Sequence, residues 1–165
     1  MADKALGSLS ASVFMDDVRS SFAGGLSYEP DDSNDKWIYS EHNVTTTGTV
    51  DMITAGEMFL GTATACTAAD MIKWIAIKHT GTTDGSTSTD KAILVTHDGA
   101  TPAHSGSVGT AGILIEPNEL FIAKIPQTRT DGLHAIVVTI ASDTGVLTVG
   151  TGEVKVQIAA ILNDV

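Results

Sequence analysis

From residue 37 onward, apolar and polar positions alternate with a period of two, the spacing that sends successive side chains to opposite faces of a β-strand. The clearest stretch is EVKVQIAAIL, where Val154, Val156, Ile158 and Ala160 alternate with Glu153, Lys155 and Gln157. In MIKWIAIKH, Ile75 and Ile77 oppose Trp74 and Ala76; in KAILVTH, Ile93 and Val95 oppose Leu94. LHAIVVTIA places Ile136, Val138 and Ile140 on one side, and KWIYSEHNV pairs Trp37 with Tyr39. TVDMITAGEMFLG alternates through Val50 and Met52, then Met58 and Leu60, around a turn at Ala55-Gly56. Gly150-Thr151-Gly152 reads as the turn of a hairpin joining GVLTV to EVKVQIAAIL, and Pro117-Asn118 divides GILIEPNELFIAKIP into two short strands. β-Branched residues fill many of the apolar positions, as a pleated surface favours. Apolar runs of helical period with recognisable caps stay within two turns. The pattern predicts an all-β fold, an antiparallel β-sandwich of jelly-roll or other Greek-key type over residues 37–165.

Residues 1–36 differ in kind, with Asp3, Asp16, Asp17, Glu29, Asp31, Asp32 and Asp35 set against Lys4, Arg19 and Lys36. Val13, Phe14 and Val18 make only a weak helical stripe over residues 12–21, and Gly24-Gly25 and YEPDDSND are turn formers. The segment reads as an extended N-terminal arm that packs on the domain or on a neighbour, or as a partly ordered terminus. Phe14 and Phe22 of the arm, with Trp37 and Tyr39 on one strand face just after it, are the candidate partner contacts. TAGEMFLG and EPNELFIAK echo one another, placing Glu57 and Glu119 at equivalent strand starts, but the match is too short to count as a repeat.

At 165 residues the chain is of single-domain length, enough to bury about 68–70% of its unfolded surface without a disulfide or metal. Hydrophobic residues reach 42%, while charged residues are 18%, below the roughly 25% of an ordinary globular protein. Part of the surface is therefore Thr, Ser and Gly, or is covered by other subunits. Nine basic and twenty acidic residues give a net charge of −11, which repels phosphate backbones and argues against a nucleic-acid partner. Cys66 is alone, in the small apolar context TATACTAAD, and reads as a buried structural thiol. The N-terminus lacks a basic region followed by a long apolar core, and the longest apolar runs fall short of the roughly 20 residues of a membrane helix, so no membrane partner is expected.

Candidate chemistry centres on WIAIKHTGTTDGSTSTDKAILVTHDG, where His79 and His97 each close an apolar run. Asp84, Asp98 and His104 add possible metal ligands, but no H-x-H or H-x-x-x-H spacing sets two imidazoles side by side. The stretch reads as strand, long flexible hairpin loop and strand, with exposed histidines at the strand ends. Its loop lacks the closing Glu of a calcium loop and the aromatic platform of a sugar site. No serine sits in a G-x-S-x-G turn, and GSVGTAG opens onto a strand and not a helix. Neither an enzyme nor a cofactor or metal is expected.

Residues 70–165 carry one further pattern: DMIKWIAIKHTGTTDGSTSTDKAILVTHDG, GILIEPNELFIAKIPQT, LHAIVV and VKVQIAAILNDV, in that order. It resembles virion structural proteins of tailed phages, especially those of marine and cyanobacterial hosts. The shared elements are a W-I-x-I-K-x-T-G-T strand and loop, a P-N-E turn before a strand, and a last strand of the type V-x-V-x-I-A-A-I-L-x-D-V. The resemblance implies a non-enzymatic particle component, above all a capsid decoration or cement protein. Such a protein binds the major capsid protein on the capsid exterior, often as a homotrimer, and is synthesised in the host cytoplasm. A glycan- or receptor-binding module of a head fibre or tail is the alternative, motivated by the polar loop 80–90 and by Trp37 and Tyr39.

Overall fold

The computed structural model describes residues 5–15, 18–30, 34–45, 50–96, 112–125, 128–140 and 147–165. They form twelve strands: β1 (Ala5–Met15), β2 (Val18–Tyr28), β3 (Asp35–Val44), β4 (Val50–Asp51), β5 (Met71–His79), β6 (Ala92–Thr96), β7 (Ile113–Ile115), β8 (Leu120–Ala123), β9 (Thr128–Arg129), β10 (His134–Ile140), β11 (Leu147–Val149) and β12 (Val154–Asn163). A 3₁₀ turn, Thr130–Gly132, is the one helical element among the described residues. The fold is all-β, as the two-residue periodicity predicts.

Strands β1 and β2 pair with each other as a hairpin. The rest form two antiparallel sheets, one in the order β3-β12-β5-β8 with β9 beside β5, the other β11-β10-β6-β7 with β4 beside β10. The pairing runs from the outside in: β3 with β12, β4 with β10, β5 with β8, β6 with β7. A long hairpin rolled into two sheets in this way has jelly-roll order.

The inner rows of both sheets meet in the core. Ile38 and Val44, Ile75 and Ile77, and Val154, Val156, Ile158 and Ala160 face Ile93, Val95, Ile115, Ala135 and Val137, with Met52 and Phe59 closing one side. The second sheet is buried on its outer face as well, through Ala92, Leu94, Ile136 and Val138. That double burial is why AILV and AIVV are unbroken apolar runs. Outside the first sheet, Trp74 and Ile161 are buried beneath Leu26 and Tyr28 of β2.

Several sequence expectations are corrected. Gly150–Gly152 does not turn a hairpin, because β11 pairs β10 while β12 lies between β3 and β5 in the other sheet. Pro117-Asn118 does divide two short strands, β7 and β8, which lie in different sheets, whereas the 80–90 loop, expected to turn a hairpin, passes from β5 in one sheet to β6 in the other. Turn residues specify a reversal of direction, whereas the sheet that a strand joins depends on which apolar face it must bury. Met58 and Leu60 are half exposed while Phe59 between them is buried, since this segment makes a single bridge to Ala65 and not a strand. Trp74, opposed to Ile75 and Ile77 as the alternation predicts, is buried on the outer face of the first sheet.

A buried carboxylate ties the end of β12 to the rest. Asp70 accepts hydrogen bonds from Thr67 N (2.8 Å), Thr67 Oγ1 (3.0 Å) and Val165 N (3.2 Å), and its own carbonyl accepts from Thr130 N (3.0 Å). Removing the carboxylate strands three donors, one of them the backbone N–H of Thr67. Asp70→Ala is therefore expected to cost about 3 kcal/mol and to lower the thermal midpoint by roughly 6–12 °C, measured by circular dichroism. An unchanged midpoint would show that water replaces the carboxylate.

Candidate functional site

His79 ends β5 with its ring fully buried. The N–H of Gly81 donates to Nδ1 at 2.9 Å, so the ring proton sits on Nε2, which donates to the Lys91 carbonyl at 2.9 Å. Both ring nitrogens are thus committed to backbone, and burial pushes the imidazole below its ordinary range, partly offset by the Lys91 carbonyl and Glu119. The expectation of an exposed strand-end histidine fails here because β5 runs under the 80–90 loop. His97, Asp98 and His104 lie outside the described residues. Gly81 itself has φ +74°, and a Cβ there would meet Asn118 Oδ1 at 2.4 Å, so the P-N-E turn closes directly on this residue.

The 80–90 loop is held by hydrogen bonds within itself and to β12. Asp84 accepts from Ser86 N (2.8 Å), Ser86 Oγ (3.0 Å), Thr87 N (2.7 Å) and Thr87 Oγ1 (3.1 Å), which holds its carboxyl far below the usual range. Thr80 N and Thr80 Oγ1 both donate to the Lys155 carbonyl, at 3.1 and 2.8 Å, and Lys155 N donates to Thr82 O at 2.9 Å. The loop is thereby fastened to the start of β12. Its one described carboxylate that looked available for a ligand already serves the loop's own backbone.

One cluster looks catalytic at first sight. His42 Nε2 lies 3.0 Å from both Ser40 Oγ and Glu57 Oε1. A relay needs the two ring nitrogens to serve opposite partners, one toward the nucleophile and the other toward the carboxylate. Here one nitrogen faces both, so the ring cannot pass a proton between them. The neighbouring Cys66 thiol donates to Thr54 O at 3.3 Å, and burial pushes it up, away from a reactive thiolate. Among the described residues no group of three His, Cys, Asp or Glu side chains could hold a metal ion.

Glu119 and Asp70 stand just before β8 and β5 and Glu57 before the isolated Met58–Ala65 bridge, so Glu57 and Glu119 are equivalent in turn chemistry but not as strand starts. Glu57 Oε1 accepts from Thr54 N (2.8 Å) while Glu57 N donates to Thr54 O (3.1 Å). Glu119 repeats this with Glu116 (2.8 and 3.0 Å), and Asp70 with Thr67 (2.8 and 3.3 Å). Each is a reciprocal cap across three residues, the side-chain logic of a capping box. The echo between TAGEMFLG and EPNELFIAK is this local turn chemistry.

What remains is a surface. Registered rows cross the outer face of the first sheet: Trp37, Ile161 and Trp74, then Tyr39, Ala159, Ala76 and Ile122. The first row lies under Leu26 and Tyr28, with Trp37 edge-on to Trp74 at 5.9 Å and Lys124 Nζ 5.8 Å from the Tyr28 ring centre. The second is only partly covered, and Tyr39 is 51% exposed. Of the four candidate contacts, Trp37 and Tyr39 share this face. Phe14 and Phe22 pair with Arg19 and Ala11 in the backbone register of β1 and β2, and their side chains lie outside the described part of the structure. The pairing of β1 with β2 was not anticipated, although the alternation in ALGSLSASVFM and VRSSFAGGLSY signals two strands.

No protein family matches the chain, and no curated protein or solved structure is similar enough to count as a match. The fold alone defines the class, a two-sheet antiparallel β-sandwich with an N-terminal hairpin.

The neutral His79 ring makes stability pH-dependent. Its depressed pKa contributes stability that is present above the ordinary histidine value of about 6.5 and is lost as pH falls toward the lower folded value. In urea unfolding, His79→Gln should be less stable than the native chain at pH 7.5, and the gap should narrow by pH 5. A gap constant across this range would show the native ring to be unaffected by protonation.

Proposed function

We propose that this chain is a non-enzymatic structural protein of a tailed-phage particle, a decoration protein that binds the outer surface of the capsid. The observation that carries the reading is the resemblance of residues 70–165 to such proteins. The structure supports it through what the polar side chains do. His79, Asp84, Glu57, Glu119 and Asp70 all bind backbone groups. A net charge of −11 would keep decorated particles from adhering to one another. The hairpin β1–β2 supplies an element paired with neither sheet, suited to reaching a neighbour.

Quantitative mass spectrometry of purified particles that carry this chain tests the proposal, with the major shell protein as reference. A copy number comparable to that of the shell protein is expected. A few copies per particle would move the chain to a vertex, tail or fibre and favour receptor binding, and its absence from particles would overturn the reading. Deleting residues 1–30 should leave a cooperatively folding sandwich that no longer attaches to capsids stripped of the native chain. Full attachment by the truncated chain would remove the hairpin from the binding role.

A further inference from the structure

Residues 81–91, GTTDGSTSTDK, carry the chain from β5 in one sheet to β6 in the other without a single hydrophobic residue. Polar contacts alone therefore hold the segment down, and a segment so held opens more readily than strands packed in a core. Many of those contacts are internal. Asp84 gathers Ser86 and Thr87, Thr83 N donates to Thr87 O (2.9 Å), Thr89 N to Gly81 O (2.9 Å) and Gly85 N to Thr82 Oγ1 (3.0 Å). They fix the shape of the segment but not its seat.

The seat is His79. Gly81 N donates to its Nδ1 and its Nε2 donates to the Lys91 carbonyl, so both ends of the segment close on one buried ring. The further ties are the Thr80 and Thr82 hydroxyls, 2.7 Å apart, and Lys155 N donating to Thr82 O at 2.9 Å. A second ring proton has to sit on Nδ1, which would set two donors face to face at 2.9 Å. Facing charges give little relief. Among the described residues, the elements packed about the ring carry Lys78 on β5, Asp84, Asp90 and Lys91 in the segment, Glu116 and Glu119 before β8, and Lys155 on β12. Asp90 pairs with Lys91, Lys155 with Glu41, and Asp84 with its own loop. Glu119 is the one whose charge favours a protonated ring, and its carboxylate already accepts from Glu116 N at 2.8 Å.

We propose that His79 is an acid-sensitive latch: protonation of its ring frees residues 81–91 to lift from the sandwich as a unit while both sheets stay folded. The other described histidines do not act this way. His42 and His134 each lie against a carboxylate, Glu57 at 3.0 Å and Asp51 at 2.8 Å, so a proton added to either ring strengthens its contact. Above about pH 6.5 the His79 ring is neutral whether the segment is seated or lifted, and opening does not depend on pH. Below that, the lifted form takes up a proton that the buried ring resists. Opening then grows about tenfold per pH unit, until the lower value of the buried ring is reached. This motion is local, and is separate from the loss of global stability at acid pH.

Backbone amide exchange of the purified full-length chain, followed by NMR from pH 7.5 to 5 and corrected for intrinsic rates, tests the latch. Gly81 and Lys155 are the reporters, because their N–H groups bond across the seat, one to His79 and the other to Thr82. Their protection is expected to stay level down to about pH 6.5 and then to fall about tenfold per pH unit, while Val137 in β10 and Ile158 in β12 keep theirs. In His79→Asn the side-chain carbonyl can still accept from Gly81 but takes up no proton, and the fall should vanish. If that variant does not fold, the native chain decides: its Gly81 amide signal should shift in step with the His79 ring nitrogens. Level protection at both reporters, an equal fall at Val137 and Ile158, a fall that persists in folded His79→Asn, or a Gly81 signal indifferent to the ring's titration would each overturn the proposal.

Discussion

Strand β12 is the constraint on which the sandwich depends. All ten of its residues pair with β3, and eight pair with β5 on the other side. Its inner row, Val154, Val156, Ile158 and Ala160, has no solvent exposure. A shift by one residue would bring Lys155 and Gln157 into the core and expel that row, so the register of three strands is fixed together. The last strand also closes the roll by pairing with the first strand of the sandwich. Asp70 then holds the end of this strand against the 67–70 turn.

Polar chemistry in this protein is directed at backbone. The acids Glu57, Asp70 and Glu119 cap the N–H three residues upstream, and Asp84 gathers two N–H groups and two hydroxyls of its own loop. A jelly roll changes sheets at nearly every turn, and such a turn leaves donors and acceptors that no neighbouring strand can satisfy. Side-chain carboxylates placed within these turns satisfy them. The same economy explains His79, which joins Gly81 to Lys91 where the chain leaves one sheet for the other.

The distribution of apolar surface follows from the two sheets being unequal. The second sheet is buried on both faces, whereas the first has alternating strands with a mixed outer face. Only part of that outer face is covered by the N-terminal hairpin. The rows from Trp37 to Glu41 therefore grade from buried, through half-covered, to charged across a few residues of each strand.

The all-β class, the inner rows of β5, β6 and β12, and the buried thiol of Cys66 were legible in the sequence, whereas the row named for β10, Ile136, Val138 and Ile140, lies on the outer face of its sheet. Each legible feature rests on a local property: two-residue alternation, or small apolar neighbours. The capped turns were half legible, as an echo whose cause was a three-residue spacing of acid and backbone. The exposed histidine was misread, because His79 is buried where the chain leaves one sheet for the other, and the adjoining Thr80 is fastened to Lys155, 75 residues further on. The hairpin signal at Gly150–Gly152 was read correctly as a turn and wrongly as a pairing, while Pro117-Asn118 was read correctly as the break between two short strands. By itself the sequence determined which faces must be buried and where the chain reverses. Only the tertiary structure decided which strand lies beside which, because pairing is settled by the joint burial of two sheets and not by any turn between neighbours.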